Sequence, residues 1–188
     1  MRRAAGVAIL LLGLAGVLWA LTAFVAPDGD NSTGSWSSTP LWSKVDEDID
    51  SPNGTVITSS NYPSSPSNDV VFDVTCPADV DTVTEANLRV RTRKASGGRD
   101  ISFAVSWSAT AATNFNTGVL TTSLANYASG NQTGLAVSKS SCDSSTITIA
   151  PTTSGGGPAT TAEIDTVNLD LTYSAATAKA PLSRRLTY

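Results

Sequence analysis

Histidine is absent from the 188 residues. Its absence removes the commonest general base, the most frequent metal ligand and the side chain that titrates near neutral pH. Charge is also sparse. Only 15% of residues are Asp, Glu, Lys or Arg, and the net charge is −4, which gives no basic balance suited to nucleic acid. Cysteine occurs only at Cys76 and Cys142, with no CxxC pair, so a zinc ribbon and a dithiol redox centre are both disfavoured. The abundant residues are Ser, Thr, Ala, Asn and Val, a composition that favours strands and turns over helices.

The chain opens "MRRAAGVAILLLGLAGVLWALTAFVAPDGD" and is uncharged from Ala4 to Ala26. As a helix this stretch would reach about 34 Å, enough to cross a hydrocarbon core of about 30 Å. Phe24-Val25-Ala26 before Pro27 makes a poor small-x-small cleavage site. Residues 1–26 are therefore read as an uncleaved signal-anchor helix, with a cleaved secretory leader as the alternative. Arg2 and Arg3 precede the segment and Asp28 and Asp30 follow it, so the positive-inside rule puts the N-terminus in the cytoplasm and the rest outside the membrane. In such a compartment Cys76 and Cys142 are read as one disulfide; the alternative is two buried thiols.

Residues 27–40, "PDGDNSTGSWSSTP", read as a flexible Ser/Gly/Pro stalk. Short alternating segments then follow: "VVFDVT" (70–75), "LRVRT" (88–92), "ISFAVSW" (101–107), "GVLTTSL" (118–124), "GLAVS" (134–138), "STITIA" (145–150) and "DTVNLDLTY" (165–173). Seven or eight such strands separated by turn residues predict an all-β, antiparallel sandwich or barrel over residues 41–174, with no helix after the anchor. Residues 175–188 read as a polar tail.

The densest charge lies in "LRVRTRKASGGRDISFAVSW". Side chains alternate across a strand, so Arg89, Arg91 and Arg93 form one row and Leu88, Val90 and Thr92 the other. "KASGGRD" then reads as the turn of a hairpin leading to Ile101, Phe103, Val105 and Trp107. The arginine row is read as the wet face of a sheet, matched by acids such as Asp73, Asp165 and Asp170 on other strands. A second reading makes Arg89, Arg91 and Arg93, with Tyr127 in a loop-like stretch, the contacts for an anionic glycan. Asn114, Phe115 and Asn116 are loop candidates of the same kind, and Trp42 is either a hydrophobic plug or a sugar-stacking platform. A nucleic-acid platform would interleave exposed aromatics with the cations, whereas Phe103 and Trp107 fall in phase with the core.

Asp46, Asp48 and Asp50 have the 1, 3, 5 spacing of a calcium loop, but Ser51 and Ile57 stand where an EF-hand needs glycine and glutamate. What survives is a weak structural Ca²⁺ candidate, with no other cofactor. Catalysis has little to build on. Without histidine the serines lack their usual base, and no lysine sits in an SxxK context. Pairs drawn from Asp46, Glu47, Asp48, Glu85 and Glu163 have no fixed separation in the sequence.

The succession "LWSKVDEDIDSPNGTVITS", "NLRVRTRKASGGRDISFAVSW", "GVLTTSL" and "VNLDLTY" resembles a group of uncharacterised jelly-roll domains found in tailed-phage particle proteins and bacterial exported proteins. The resemblance implies a lectin-like jelly-roll β-sandwich over 41–174, used as a surface or appendage module, with no catalytic residues to carry over. The membrane segment departs from the phage setting. The expectation is thus a non-enzymatic, membrane-anchored structural or adhesive module whose partner is a surface glycan or another surface protein. A carbohydrate-binding module or a virion-associated part is the alternative.

Overall fold

Alternation of apolar and small polar residues builds two antiparallel sheets whose apolar faces meet. The computed structural model describes residues 20–37, 39–60 and 69–176. The strands are β1 (Ala20–Val25), β2 (Gly29–Ser32), β3 (Ile57–Thr58), β4 (Val70–Asp73), β5 (Val80–Lys94), β6 (Asp100–Trp107), β7 (Thr110–Val119), β8 (Ala125–Ala128), β9 (Gln132–Ser138), β10 (Thr146–Ser154) and β11 (Ala162–Ala175). The first sheet runs β1-β11-β5-β8, with β3 also on β11 and β9 also on β5; the second runs β2-β4-β10-β6-β7. This is an all-β sandwich.

Its core is the meeting of the two inner rows. Leu88 and Val90 of β5 and Val167 and Leu169 of β11 face Phe72, Ile101, Phe103, Val105, Trp107, Ile147 and Ile149 of the second sheet, and all are buried. Each such side chain contributes about 1.5–3 kcal/mol on removal from water. The one polar atom Trp107 brings inside is satisfied, its Nε1 donating to Ser145 Oγ at 2.6 Å.

The β5–β6 connection differs from the hairpin expected of it. β5 pairs with β11, β8 and β9, whereas β6 pairs with β10 and β7, so "KASGGRD" carries the chain from one layer to the other. Alternation fixes which face of a strand is buried but not which strand lies beside it, and two apolar rows can pack as well across the sandwich as along it. Gly98 allows the crossing: a Cβ there would stand 2.6 Å from the Pro158 carbonyl oxygen.

The N-terminal region also departs from expectation. Residues 1–19 lie outside the described residues, but Ala20–Val25, assigned by sequence to the end of the anchor helix, form β1 and pair with β11 from Ala20↔Ser174 to Val25↔Leu169. A run such as "ALTAFV" is apolar enough for either state, and the free edge of β11 selects the strand. Among the described residues no helix is long and apolar enough to cross a membrane. Nor are residues 27–37 a loose stalk. β2 pairs with β4, and Trp36 is buried, bridged to Ser59, with its ring 6.1 Å from that of Phe103.

β7 and β8 hold the residues expected in loops, Asn114, Phe115, Asn116 and Tyr127, whereas the strand expected over 118–124 keeps only Gly118 and Val119, at the end of β7. As edge strands β7 and β8 lack the apolar alternation that marks an interior strand. A single helical turn, α1 (Lys139–Asp143), was also not expected; Ser138 caps it by accepting from the Ser141 amide. Cys142 of this turn forms the disulfide with Cys76, closing a separation of 66 residues and tying the end of β4 to the β9–β10 connection. In the chain-entropy description a bridge of that span contributes about 4 kcal/mol.

Candidate functional site

The arginines occupy the outer face of the first sheet, as strand geometry requires. Arg93 lies opposite Glu163, Arg91 opposite Thr166 and Arg89 opposite Asn168. The register slips between Ile164 and Thr166, so Asp165 and Thr166 share the face of Arg91. Such a bulge turns two consecutive side chains outward where an unbroken strand would turn one.

Every guanidinium of the row is engaged. Arg89 reaches Asp50 Oδ1 with Nη2 at 2.7 Å and Asp170 Oδ2 with Nη1 at 3.1 Å. Arg91 Nη1 stands 3.2 Å from Asp165 Oδ2, and Arg93 Nε donates to Glu163 Oε2 at 2.6 Å. Asp165 and Asp170 were legible as partners from the sequence. Asp73 was not a correct choice: it lies in the second sheet and accepts from Asn31 Nδ2 at 3.2 Å.

Over this face lies a strap, residues 45–53. It begins in the gap that β1 and β3 leave along β11, where Val167 N donates to Val45 O at 3.0 Å. Asn168, fully buried, then grips its backbone: Oδ1 accepts from Ile49 N at 2.6 Å and Nδ2 donates to Glu47 O at 2.7 Å. Val45 and Ile49 are buried beneath, and the Asp30 carboxylate holds the lead-in by accepting from Leu41 N and Trp42 N at 2.7 and 2.8 Å. Sequence reasoning missed Asn168 altogether. Its place in "VNLDLTY" marks it as outward, and only the strap makes it buried.

Beneath the strap Asp165 is wholly buried. Its oxygens and Thr166 Oγ1 carry no hydrogen bond among the described residues, and Arg91 meets the carboxylate in ion-pair range but outside hydrogen-bond geometry. Burial pushes the Asp165 carboxyl above its ordinary value of 3.8; Arg91 opposes the rise, Glu47 adds to it and Arg93 opposes it. Asp50 moves the other way, lowered chiefly by the hydrogen bond from Arg89. The opposed directions distinguish a carboxylate trapped under the strap from one clasped at its surface.

The calcium candidate is dispersed. Asp50 is committed to Arg89, Asp48 Oδ1 accepts the Asp50 amide at 2.9 Å, and no group of three or more His, Cys, Asp or Glu among the described residues is placed to hold a metal ion. The glycan candidate is divided. Tyr127 of β8 lies opposite Val90, on the inner side, and packs against the core, while Asn126 lies opposite Arg91 on the outer side. Directly opposed residues share a face, so Tyr127 and the arginine row are on opposite sides of one sheet. Phe115, opposite the buried Val105, and Trp42 likewise pack against the core.

The outer face of the second sheet has a different character. Ser102, Ala104 and Ser106 of β6 lie against Thr152, Ala150 and Thr148 of β10, and Asn116 of β7 lies opposite Ala104. These side chains are short and uncharged, and among the described residues no strap covers them. In comparisons with known proteins, the chain matches no family model, no curated protein and no solved structure.

Proposed function

We propose that the chain is a non-enzymatic jelly-roll module, a structural and adhesive surface element exported behind its hydrophobic leader and anchored by it. The observation that carries this reading is the division between the outer faces. Among the described residues the arginine row is neutralised by its own carboxylates, leaving the short, uncharged face of β6, β7 and β10 as a broad surface for contact. The jelly-roll assignment is supported by the order β1-β11-β5-β8 facing β4-β10-β6-β7, with the chain crossing between layers at every connection except β6–β7 and β8–β9. The Cys76–Cys142 bridge supports maturation in an oxidising compartment. An anionic glycan would have to displace Asp50, Asp170, Asp165 and Glu163 from Arg89, Arg91 and Arg93, which favours the reading without a glycan at this face.

The test is attachment of cells or envelopes displaying the full chain. Ala104→Arg should abolish it, Asn126→Arg should leave it unchanged, and soluble glycans should not compete. Loss of attachment in Arg91→Ala together with competition by an acidic glycan would replace this reading with the carbohydrate-binding one.

A further inference from the structure

We propose that Asn53–Gly54, at the exit of the strap, is a self-modification site at which the asparagine amide is converted to a carboxylate through a cyclic imide. The reaction needs an asparagine side chain that can fold onto the next backbone nitrogen, a next residue that does not obstruct it, and water. Asn53 and Gly54 are both exposed and belong to no strand ladder. Gly54 has φ +82, and a Cβ built there would meet nothing within 4 Å, so neither its own side nor a neighbour hinders approach. Asn53 Oδ1 accepts from Thr55 N at 2.7 Å, a turn that folds the side chain back over the Gly54 amide and polarises the Cγ carbonyl. Asn87, Asn126 and Asn168 differ in both respects, lying within strands and preceding Leu88, Tyr127 and Leu169, and Asn131, outside a strand, precedes the bulkier Gln132.

The steps balance without any oxidant or reductant. A solvent base takes the Gly54 N–H proton, the nitrogen forms a bond to Asn53 Cγ, and the Cγ–Nδ2 bond breaks to release ammonia. Water then opens the five-membered imide. Attack at Cγ returns an aspartate with the backbone unchanged. Attack at the main-chain carbonyl carbon breaks its bond to the Gly54 nitrogen, and the chain thereafter runs through the side chain, one carbon longer.

Either product adds a negative charge to a segment that already holds Glu47, Asp48 and Asp50. The longer product also displaces the Asn53 amide that donates to Glu47 Oε2 at 2.7 Å. The strap's exit therefore loosens with age, while its grip by Asn168 and Val167 stays.

The test is to incubate the full chain in mildly alkaline buffer and locate modified asparagines by tandem mass spectrometry, with enzymatic methyl transfer to reveal the longer-backbone product. Position 53 should convert first, faster as pH rises, and Asn53→Ser should lose the methyl-accepting signal. Hydrogen exchange in residues 51–56 should quicken in aged wild type and stay constant in aged Asn53→Ser. Conversion at Asn126 or Asn87 ahead of Asn53, or an unchanged Asn53 once the free peptide of the same sequence has converted, overturns the proposal. Unaltered exchange in fully converted protein overturns the loosening.

Discussion

The two outer faces of the sandwich solve the same problem by different means. On the second sheet, Ser102, Ser106, Thr148 and Thr152 keep a pleated surface wet with short side chains that need no particular partner. On the first, Arg89, Arg91 and Arg93 project from β5 toward Asp50, Asp170, Asp165 and Glu163, and a peptide strap then shuts part of that network away from water. Exposed ion pairs such as Arg89–Asp50 add little to stability. A pair such as Arg91–Asp165, with its carboxylate fully buried, recovers that carboxylate's desolvation cost only in part. One face tolerates change. The other depends on every member being present.

Six variants test that contrast, the loss of the disulfide having the largest expected effect and Ser106→Ala serving as the control for Arg91→Met. Cys76→Ser with Cys142→Ser acts on both sheets together, and urea unfolding should show a loss of about 4 kcal/mol. Arg91→Met leaves the Asp165 charge buried without its nearest cation and should cost about 3 kcal/mol, near the lower end for such a loss because Arg93 also acts on Asp165. Ser106→Ala on the opposite face should stay within about 0.5 kcal/mol; equal losses at the two positions would erase the distinction.

Asn168→Ala abandons the Ile49 amide and the Glu47 carbonyl and should cost about 2 kcal/mol. Hydrogen exchange at Ile49 should rise in this variant while the β6–β10 ladder stays protected.

The smallest effect follows from the two carboxylates with opposed shifts. Asp165 has its folded value raised above 3.8, so its charge destabilises the fold at neutral pH, and that penalty is relieved as pH falls through the raised value. Asp50 has its folded value lowered, so its contribution is present above 3.8 and is lost only as pH falls below it. Asp165→Asn should therefore flatten the stability profile in the mildly acidic range above 3.8. Asp50→Asn should flatten it below. Denaturant midpoints across a pH series read both, and an Asp165→Asn profile that parallels wild type above 3.8 would remove Asp165 from the buried network.

Much of this was legible in the chain. The phase of Leu88, Val90, Ile101, Phe103, Val105 and Trp107 named the core, and the arginine row announced a wet face that needed acids. The disulfide was legible once the two cysteines were placed in an exported chain. What could not be read has a common cause. Period-2 alternation reports burial and is silent about neighbours, so the crossing between β5 and β6 looked like a hairpin. Edge strands such as β7, with both faces partly wet, carry no alternation to find. The gap that Val45 fills and the grip of Asn168 join segments more than a hundred residues apart, and the bulge at Asp165 arises only in the pairing with β5. No local pattern records them.

The pairing of β1 with β11 sets a polarity for the molecule. Ala20 lies opposite Ser174, so the polypeptide enters and leaves the sandwich at one pole. The other pole carries the two glycine-bearing connections, after β5 and after β10, which touch where Arg99 N donates to Pro158 O. A partner domain spliced directly ahead of Ala20 or behind Ala176 would therefore meet the sandwich at the first pole, opposite the glycine loops.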